Sequence, residues 1–419
     1  MTELKKTISI WKGTALAVCT VIGSGLLGLP GMTLEAGNIH SVAGGWLFIT
    51  LTVLPLIYIF ARLGLKFTSA AGLAKYAEEA VGPWGRYGVS VVLCGTFTLG
   101  IPVVALIGGS YMQKLFQLPD STVWWLAIGI LLVATSVNFL GVKMVNLLNM
   151  AALVSLMVMM VTIVLTHTAF FQQGLIVYRQ ACGAAGLKWN ELWQVAMLLF
   201  WAFIGWENLS FSLEEFKRPE KTIPRVYWLS FLAVIVLYFG LMITSLGAEA
   251  SGTSVKGAAG LAALVGNTPL GTVQLLVMVL VIPANANAWI FGAGRLYYAA
   301  GRTAVLPGYL GRLAGNGLPL NSILTSLGVY ILVTVATYFL KIPIAKLVLI
   351  VNQNWLVLYI FSIFAYWKTG TGVWRWLITG LASISCLFLL AGFSWWIIYT
   401  FGLLAIGYIR YRYVQGRLS

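Results

Sequence analysis

Long uncharged stretches of apolar residues recur from one end of the chain to the other, separated by short polar segments. A helix needs about 20 predominantly apolar residues to cross a bilayer. The pattern therefore predicts an all-α integral membrane protein with one transmembrane domain over residues 1–419. Counting the stretches predicts twelve spans, at residues 12–34, 42–61, 88–113, 122–141, 144–166, 192–213, 226–247, 270–294, 321–340, 347–366, 373–391 and 394–409.

The amino-acid composition excludes an ordinary soluble protein. Hydrophobic residues make up 60% of the chain and charged residues 9%, whereas about a quarter of the residues of a soluble domain are charged. No segment remains for a soluble enzyme domain, and no motif gathers a nucleophile, a base and an orienting group, so we expect no enzyme activity. The four cysteines and two histidines show no metal-ligand spacing, so neither a metal site nor a cofactor is predicted.

The distribution of Lys and Arg predicts the orientation of the chain. With both termini in the cytoplasm, twenty of these residues lie inside, which is the excess that the positive-inside rule demands. An odd number of spans would place the basic C-terminal end on the wrong face. We therefore expect a multi-pass protein of a bacterial-type cytoplasmic (inner) membrane, and we attribute the net charge of +15 to topology and not to a nucleic-acid partner. Only six cations then lie outside: Lys114, Arg179, Lys188, Lys256, Lys341 and Lys346.

Two spans contain residues that interrupt helices. The first span includes "VIGSGLLGLPG", which holds four glycines and a proline between Val21 and Gly31, and the sixth includes Gly205 within "FWAFIGWEN". This pattern predicts unwound backbone near the middle of the membrane, although such glycines also serve close helix packing. Unwound backbone is tolerated at this depth only where it lines a cavity, so the two breaks predict a shared binding site.

A broken helix exposes carbonyl oxygens at the end of one half and amides at the start of the next, each end carrying about half a charge. A zwitterionic amino acid is complementary to both. Its carboxylate is expected on amides around Ser24 and Gly25, and its ammonium on carbonyls of Val21, Ile22 and the start of the sixth-span break. The predicted substrate-binding residues are Val21, Ile22, Gly23, Ser24, Gly25, Phe200, Trp201, Ala202, Phe203, Ile204, Gly205 and Asn285.

Asn285 is included because it falls near the middle of span eight. The other intramembrane amides are interpreted as interhelical hydrogen-bonding groups: Asn287, Asn352, Gln353 and Asn354.

Glu207 is the single charged residue between Leu192 and Leu213. A carboxylate within the membrane is costly and is usually retained for function. We predict that Glu207 carries or senses a coupling proton. The alternative is a hydrogen-bonded tie between helices.

These motifs resemble those of the amino acid-polyamine-organocation (APC) transporters. "TVIGSGLLGLPG" is similar to the first-helix signature of that family, and "FWAFIGWENLSFSLEEFKRPEKTIPR" to its sixth-helix signature and following loop. "GRLYYAAGRTAVLPGYLGRL" is similar to the basic loop after the eighth helix. In character the chain resembles the bacterial exporters of L-methionine and branched-chain amino acids.

The resemblance implies a LeuT-like fold with broken helices 1 and 6 and alternating access. Two inverted five-helix repeats are then expected over about residues 7–166 and 191–367, followed by accessory helices over about 373–411. It also implies that Trp201 gates the substrate. One departure is clear: several members carry a Lys in the fifth span in place of a sodium ion, whereas Met144–Thr166 contains no charged residue.

The expected function is secondary active transport of neutral, mainly apolar amino acids such as Met, Leu, Ile and Val. Apart from Glu207, the presumed site-lining parts of spans one, three, six, eight and ten offer no charge to pair with a charged substrate. Proton-coupled efflux is favoured by the resemblance, although the residues themselves do not distinguish export from uptake. The alternatives are a cationic amino acid or polyamine antiporter, an uptake permease, and an amino-acid-sensing receptor of transporter fold. The sequence leaves the oligomeric state open.

Overall fold

The chain folds almost entirely into helices. The computed structural model describes residues 6, 8–23, 25–67, 72–181, 186–265, 269–315 and 317–418. The α-helices of the first half are α1 (Ile10–Val21), α2 (Gly25–Ala36), α3 (Ile39–Lys66), α4 (Gly72–Val81), α5 (Pro83–Leu115), α6 (Val123–Val137), α7 (Val142–Thr166) and α8 (Thr168–Ala181). Those of the second half are α9 (Trp189–Leu199), α10 (Pro219–Ala250), α11 (Ala262–Val265), α12 (Pro269–Arg302), α13 (Leu320–Phe339), α14 (Ile344–Thr369), α15 (Gly372–Ala391) and α16 (Ile397–Leu418).

Each predicted span corresponds to one helix or to consecutive shorter helical pieces. In the described part of the chain, nine helices are continuous, long enough and apolar enough to cross a membrane. They are spans two to five and seven to eleven. The first and sixth spans are absent from that set because each is divided into shorter helical pieces. The twelfth span is α16, whose last turns carry arginines and lower its apolar character.

Both predicted helix breaks are present. The first span ends as α1 at Val21 and resumes as α2 at Gly25. The sixth continues from α9 into a 3-10 turn over Phe200–Phe203, breaks at Ile204 and Gly205, and resumes as a 3-10 helix over Trp206–Glu215. Gly205 has φ of 119°, in the region that favours glycine.

The two breaks touch each other through their backbones. A Cβ atom built on Gly205 would lie 2.4 Å from the carbonyl oxygen of Thr20 in α1. No side chain of any size fits at that distance. Glycine at position 205 therefore permits both the unusual backbone conformation and the close approach of the two broken spans.

A second contact joins the same two spans away from the breaks, where the sixth span ends and before the first begins. Ahead of α1, the amide of Ile8 donates to the carbonyl oxygen of Glu215 (3.0 Å), and the amide of Lys217 donates to the carbonyl oxygen of Ile8 (3.0 Å). Within the described ranges this is the only isolated β-bridge. The broken spans are thus tied together both at their middles and at the end that the charge distribution predicts to be cytoplasmic.

Three α-helices were not predicted from the sequence: the four-residue α11, and the longer α4 and α8. α4 is ten residues long, and α8 has fourteen residues that include Gln172, Gln173 and Arg179. Both are too short and too polar to register as membrane spans. α8 packs against α10 and α3, and α4 packs against α14 and α5.

The helices differ in how deeply they lie in the bundle. In α5 and α14, 78% of the most apolar window is buried by the rest of the protein, against 17% in α15. α5 and α14 are therefore central, and α15 presents most of its surface outward. The division of the chain into repeats over about 7–166 and 191–367 stays a prediction.

Candidate functional site

A cavity of about 420 Å³ lies between the two helix breaks. We call it the break cavity. It receives residues from α1, α2, α5, α10, α12 and α14 as well as from the broken sixth span. Its lining is formed by Thr20, Val21, Ile22, Gly23, Leu26, Phe97, Trp201, Ala202, Ile204, Gly205, Tyr238, Asn285, Ala288, Trp289, Gly292 and Trp355.

Eight of the predicted binding residues line this cavity: Val21, Ile22, Gly23, Trp201, Ala202, Ile204, Gly205 and Asn285. Two others do not. Phe200 packs against Tyr359 with ring centres 5.6 Å apart, and Phe203 packs against Tyr238 at 5.8 Å. Gly25 is the first residue of α2. Ser24 lies outside the described residues, and Glu207 is discussed below.

Tyr238 of α10 links the two breaks. Its hydroxyl oxygen lies 3.0 Å from the carbonyl oxygen of Ala202 and 3.4 Å from that of Val21. A phenol has one hydrogen to donate, so it donates to one carbonyl at a time. Both carbonyls are left without a helical partner by the breaks, and the tyrosine is positioned to satisfy either of them.

One wall of the break cavity is aromatic. The rings of Trp201 and Trp289 are nearly parallel, with an interplanar angle of 6° and centroids 5.8 Å apart. Phe97 meets Trp289 edge to face at 5.6 Å. Gly100 lies against both rings: a Cβ there would be in ordinary contact with them, 3.4 Å from the Trp289 ring and 3.6 Å from the Trp201 ring. No charged side chain is among the described lining residues.

Glu207 is buried behind the sixth-span break and does not line the break cavity. The amide of Gly205 donates to its Oε2 atom at 3.0 Å, and the hydroxyl of Tyr359 in α14 donates to the same oxygen at 2.6 Å. The carboxylate therefore satisfies a backbone amide that the break exposes, as a helix-capping side chain does. It also connects the broken span to α14, one of the central helices.

The intramembrane amides lie in different surroundings. Asn285 borders the break cavity and lies against Gly23, where a Cβ would be 3.4 Å from its amide atoms. Asn287 instead accepts from Asn138 of the short 3-10 helix after α6 and donates to Asn149 of α7, each at 2.9 Å. In α14, Asn352 donates to the carbonyl oxygen of Met197 at 2.6 Å. These bonds hold helices together and do not reach the cavity.

A second cavity of about 410 Å³ adjoins the first. It lies between α1, α7 and α12 and shares Ile22, Asn285 and Ala288 with the break cavity. α7 is the fifth span, and its most polar contribution to this lining is Asn149. The shared residues make a thin partition between the two cavities.

Sequence reasoning missed half of the residues that line the break cavity. Trp289 had a usable signal, since it follows Asn285 by four residues and so lies on the same face of α12. Phe97 and Trp355 come from spans three and ten, which were expected to contribute. Tyr238 comes from span seven, for which the sequence held no signal beyond one more apolar, aromatic-containing helix.

The comparisons with known proteins agree with this architecture. The family model described as amino acid permease matches residues 8–418. The chain belongs to the amino acid permease family. This family places it in the APC superfamily of transporters and makes it an amino acid transporter of the multi-pass membrane class.

Two relatives of this permease and one solved structure show how far the similarity extends. It is 26% identical to the uncharacterized amino acid permease YecA of Bacillus subtilis (strain 168), over 97% of this chain and 95% of that protein. It is 24% identical to the L-methionine/branched-chain amino acid exporter YjeH of Escherichia coli (strain K12), over 97% and 96%. The crystal structure of MhsT in complex with L-phenylalanine matches with a TM-score of 0.60 and 13% identity, covering 93% of this chain and 99% of that one. The permease therefore has the LeuT-like fold that its sequence motifs implied.

Proposed function

We propose that this permease is a secondary active transporter of neutral, mainly apolar amino acids, such as Met, Leu, Ile and Val. The observation that carries this proposal is the break cavity: two interrupted helices meet at a cavity of about 420 Å³ that is lined by apolar and aromatic side chains. Broken helices provide the two charges of a zwitterion with backbone partners. An apolar wall accommodates the substrate side chain by burial.

The backbone around the break cavity supports the assignment of the two substrate ends. Carbonyl oxygens of Val21 and Ala202 lie within reach of the Tyr238 hydroxyl and have lost their helical partners. The ammonium group of a substrate has three hydrogens to donate, so it could bond both carbonyl oxygens at once, whereas the Tyr238 hydroxyl donates to one at a time. The opposite pole is the N-terminus of α2, which begins at Gly25 and whose helix dipole favours a carboxylate.

The neutral preference follows from charge. A cationic side chain in the break cavity would need a carboxylate, because an unpaired buried charge is costly. Glu207 is the acid that the cationic alternative invokes, yet it lies outside the lining and already accepts hydrogen bonds from Gly205 and Tyr359. Similarity to YjeH, whose name specifies L-methionine and branched-chain amino acids, points the same way. Pockets of this kind separate substrates by only about 1–3 kcal/mol per methylene, so we expect several substrates.

We assign proton coupling to Glu207 and efflux as the direction. Exporting a zwitterion against entry of one proton moves one positive charge inward, which at 100 mV contributes about 2.3 kcal/mol. That energy sustains about a fifty-fold gradient of amino acid. Alternating access would then arise from movement of the two predicted repeats around the break cavity, with Trp201 as the lid over the substrate.

Flux of labelled Met, Leu and Arg in proteoliposomes with an imposed pH gradient tests this proposal. We expect Met and Leu to move in response to the gradient and Arg to be ignored. Unlabelled Leu should compete with labelled Met, because both occupy the same apolar wall. Transport of Arg without transport of Met would replace this proposal by the cationic alternative.

A further inference from the structure

A cavity bordered by two basic side chains lies at the end of the bundle that the charge distribution predicts to be cytoplasmic. It measures about 300 Å³ and forms where the ends of α3 and α14 meet the start of α15. We call it the Arg62 cavity. It shares no residue with the break cavity. Its lining consists of Arg62, Leu63, Leu65, Lys66, Tyr366, Thr369, Gly370 and Thr371.

The Arg62 cavity carries two cations and no acid. Arg62 and Lys66 stand one turn apart on α3, and both are exposed. Among the described residues neither forms an ion pair, since the four ion pairs found there involve other lysines. The ammonium of Lys66 donates to the carbonyl oxygen of Thr369 at 2.8 Å, which holds it beside the cavity. Two positive charges therefore border one small cavity whose lining includes no acidic side chain.

The start of α15 adds further donors at the rim. Thr371 is the N-cap residue of this twenty-residue helix, and its side chain makes no capping hydrogen bond. The first-turn amides of the helix carry about half a positive charge and favour an anion. Beside the rim, the guanidinium of Arg375 lies 4.4 Å above the ring of Trp376, and the buried Nε atom of Arg375 has no hydrogen-bond partner within the described part of the chain.

The surroundings place the Arg62 cavity at a lipid–water boundary. Trp367, Trp374 and Trp376 are all exposed on the adjoining end of α14 and the first turns of α15. Tryptophans are enriched at the level of lipid headgroups. Basic pockets between membrane helices on the cytoplasmic side bind anionic headgroups. A phosphate arriving from the leaflet would therefore meet both cations and the helix N-terminus.

We propose that the Arg62 cavity binds the phosphate of an anionic membrane lipid, with phosphatidylglycerol as the probe. A zwitterionic lipid also brings an ammonium group, and the lining offers no carboxylate to receive it. The bound lipid contacts the C-terminal end of α14, through Tyr366 and Thr369, and holds it in place. Because Tyr359, the partner of Glu207, lies two turns before Tyr366 on the same helix, the lipid supports the helix that holds the buried carboxylate.

Native mass spectrometry of the full-length protein tests this site. Phosphatidylglycerol and phosphatidylethanolamine are titrated against the unmodified protein and an Arg62→Gln/Lys66→Gln pair. The matched control is Lys221→Gln/Arg225→Gln, which removes two exposed cations from α10 on the same predicted side. Each cation beside a bound lipid headgroup contributes about 1 kcal/mol to its binding, so loss of Arg62 and Lys66 should weaken phosphatidylglycerol binding about thirty-fold. The control pair should bind it as the unmodified protein does.

Three outcomes would overturn the proposal. They are equal losses in the two pairs, equal retention of the two lipids by the unmodified protein, and displacement of the lipid by millimolar inorganic phosphate, which would make free phosphate the ligand. An Arg62→Lys/Lys66→Arg pair keeps both charges and should keep the lipid, and a thermal unfolding midpoint shows that each variant is folded. Lipid retention is measured without substrate, so this test is independent of the proposed transport function.

Discussion

At the scale of single residues, Glu207 combines two tasks that are usually separate. One carboxylate oxygen accepts from the Gly205 amide and from the Tyr359 hydroxyl, so the side chain both caps a broken helix and ties it to α14. Protonation of the carboxyl group would weaken both bonds, since charge-assisted hydrogen bonds are roughly twice as strong as neutral ones. Protonation of Glu207 would therefore weaken the hydrogen bond that the backbone amide of Gly205 donates at the sixth-span break.

Glu207→Gln should separate binding from coupling. The amide keeps the size of the side chain and an oxygen that accepts from Gly205 and Tyr359, but it cannot release a proton. We expect this variant to exchange labelled Met across proteoliposomes while failing to accumulate it in response to a pH gradient. Glu220→Gln, an exposed acid in the first turn of α10, is the control and should accumulate Met normally. Full pH-driven accumulation by Glu207→Gln would remove Glu207 from the coupling mechanism.

Trp201→Ala should lower the transport rate and reduce the discrimination among amino acid substrates. The Trp201 ring is buried, stacks on Trp289 and forms part of the aromatic wall, and truncation of a buried aromatic costs about 3–5 kcal/mol where the site does not collapse. Initial rates and competition among Met, Leu and Val measure the effect. Trp228→Ala removes a tryptophan from the exposed face of α10 and should leave both unchanged. Identical kinetics for the two variants would assign Trp201 to packing alone.

At the scale of helices, the breaks were predictable and their mutual contact was not. Glycine density and Gly205 within a bulky segment indicated where the backbone unwinds. The close approach of Gly205 to the Thr20 carbonyl is a tertiary contact between positions far apart in the chain, so no local pattern encodes it. α4 and α8 escaped prediction because hydropathy detects spans and passes over short helices that pack beside them.

Gly205→Ala should disable the sixth-span break. The φ of 119° strains any residue with a Cβ, at a cost of about 1–3 kcal/mol. The new methyl group would also meet the Thr20 carbonyl oxygen, which belongs to backbone and cannot rotate away. We expect a lower thermal unfolding midpoint and loss of Met exchange.

Gly129→Ala provides the comparison for Gly205→Ala. Gly129 lies within α6, and nothing lies within 4 Å of the position its Cβ would take. Alanine favours a helix interior over glycine by about 1 kcal/mol, so this variant should be as stable as the unmodified protein or slightly more stable. Equal behaviour of the two variants would show that the break tolerates a side chain.

At the scale of the whole molecule, charge and hydropathy were sufficient to predict the class of fold. The periodic return of apolar segments reflects the thickness of the bilayer, which every span must match, so the signal is repeated along the chain. Only half of the residues that line the break cavity were predicted from the sequence. The rotation of each helix about its axis decides which aromatic side chain faces the cavity, and the sequence does not specify that rotation. Tyr238 illustrates this limit: its sequence neighbourhood resembles that of any apolar span.

Fusion proteins test the predicted orientation. A fluorescent protein joined after Ser419 should fluoresce, because it folds in the cytoplasm, and alkaline phosphatase joined there should be inactive. Phosphatase joined after Leu340, at the end of α13, should be active, since that end is predicted to lie outside. The reverse pattern would invert the topology and place the Arg62 cavity in the outer leaflet.

The divided first span has a consequence for biogenesis. α1 and α2 contain twelve residues each, so each is about 18 Å long and neither crosses a hydrocarbon core of about 30 Å. Unwound backbone facing lipid is strongly disfavoured. Two groups that contact this break are synthesised later: Gly205 follows four further spans, and Tyr238 follows five. We therefore expect the nascent first span to enter the bilayer as one continuous helix and to unwind only after Tyr238 of the seventh span is in place. The break would then form late in assembly.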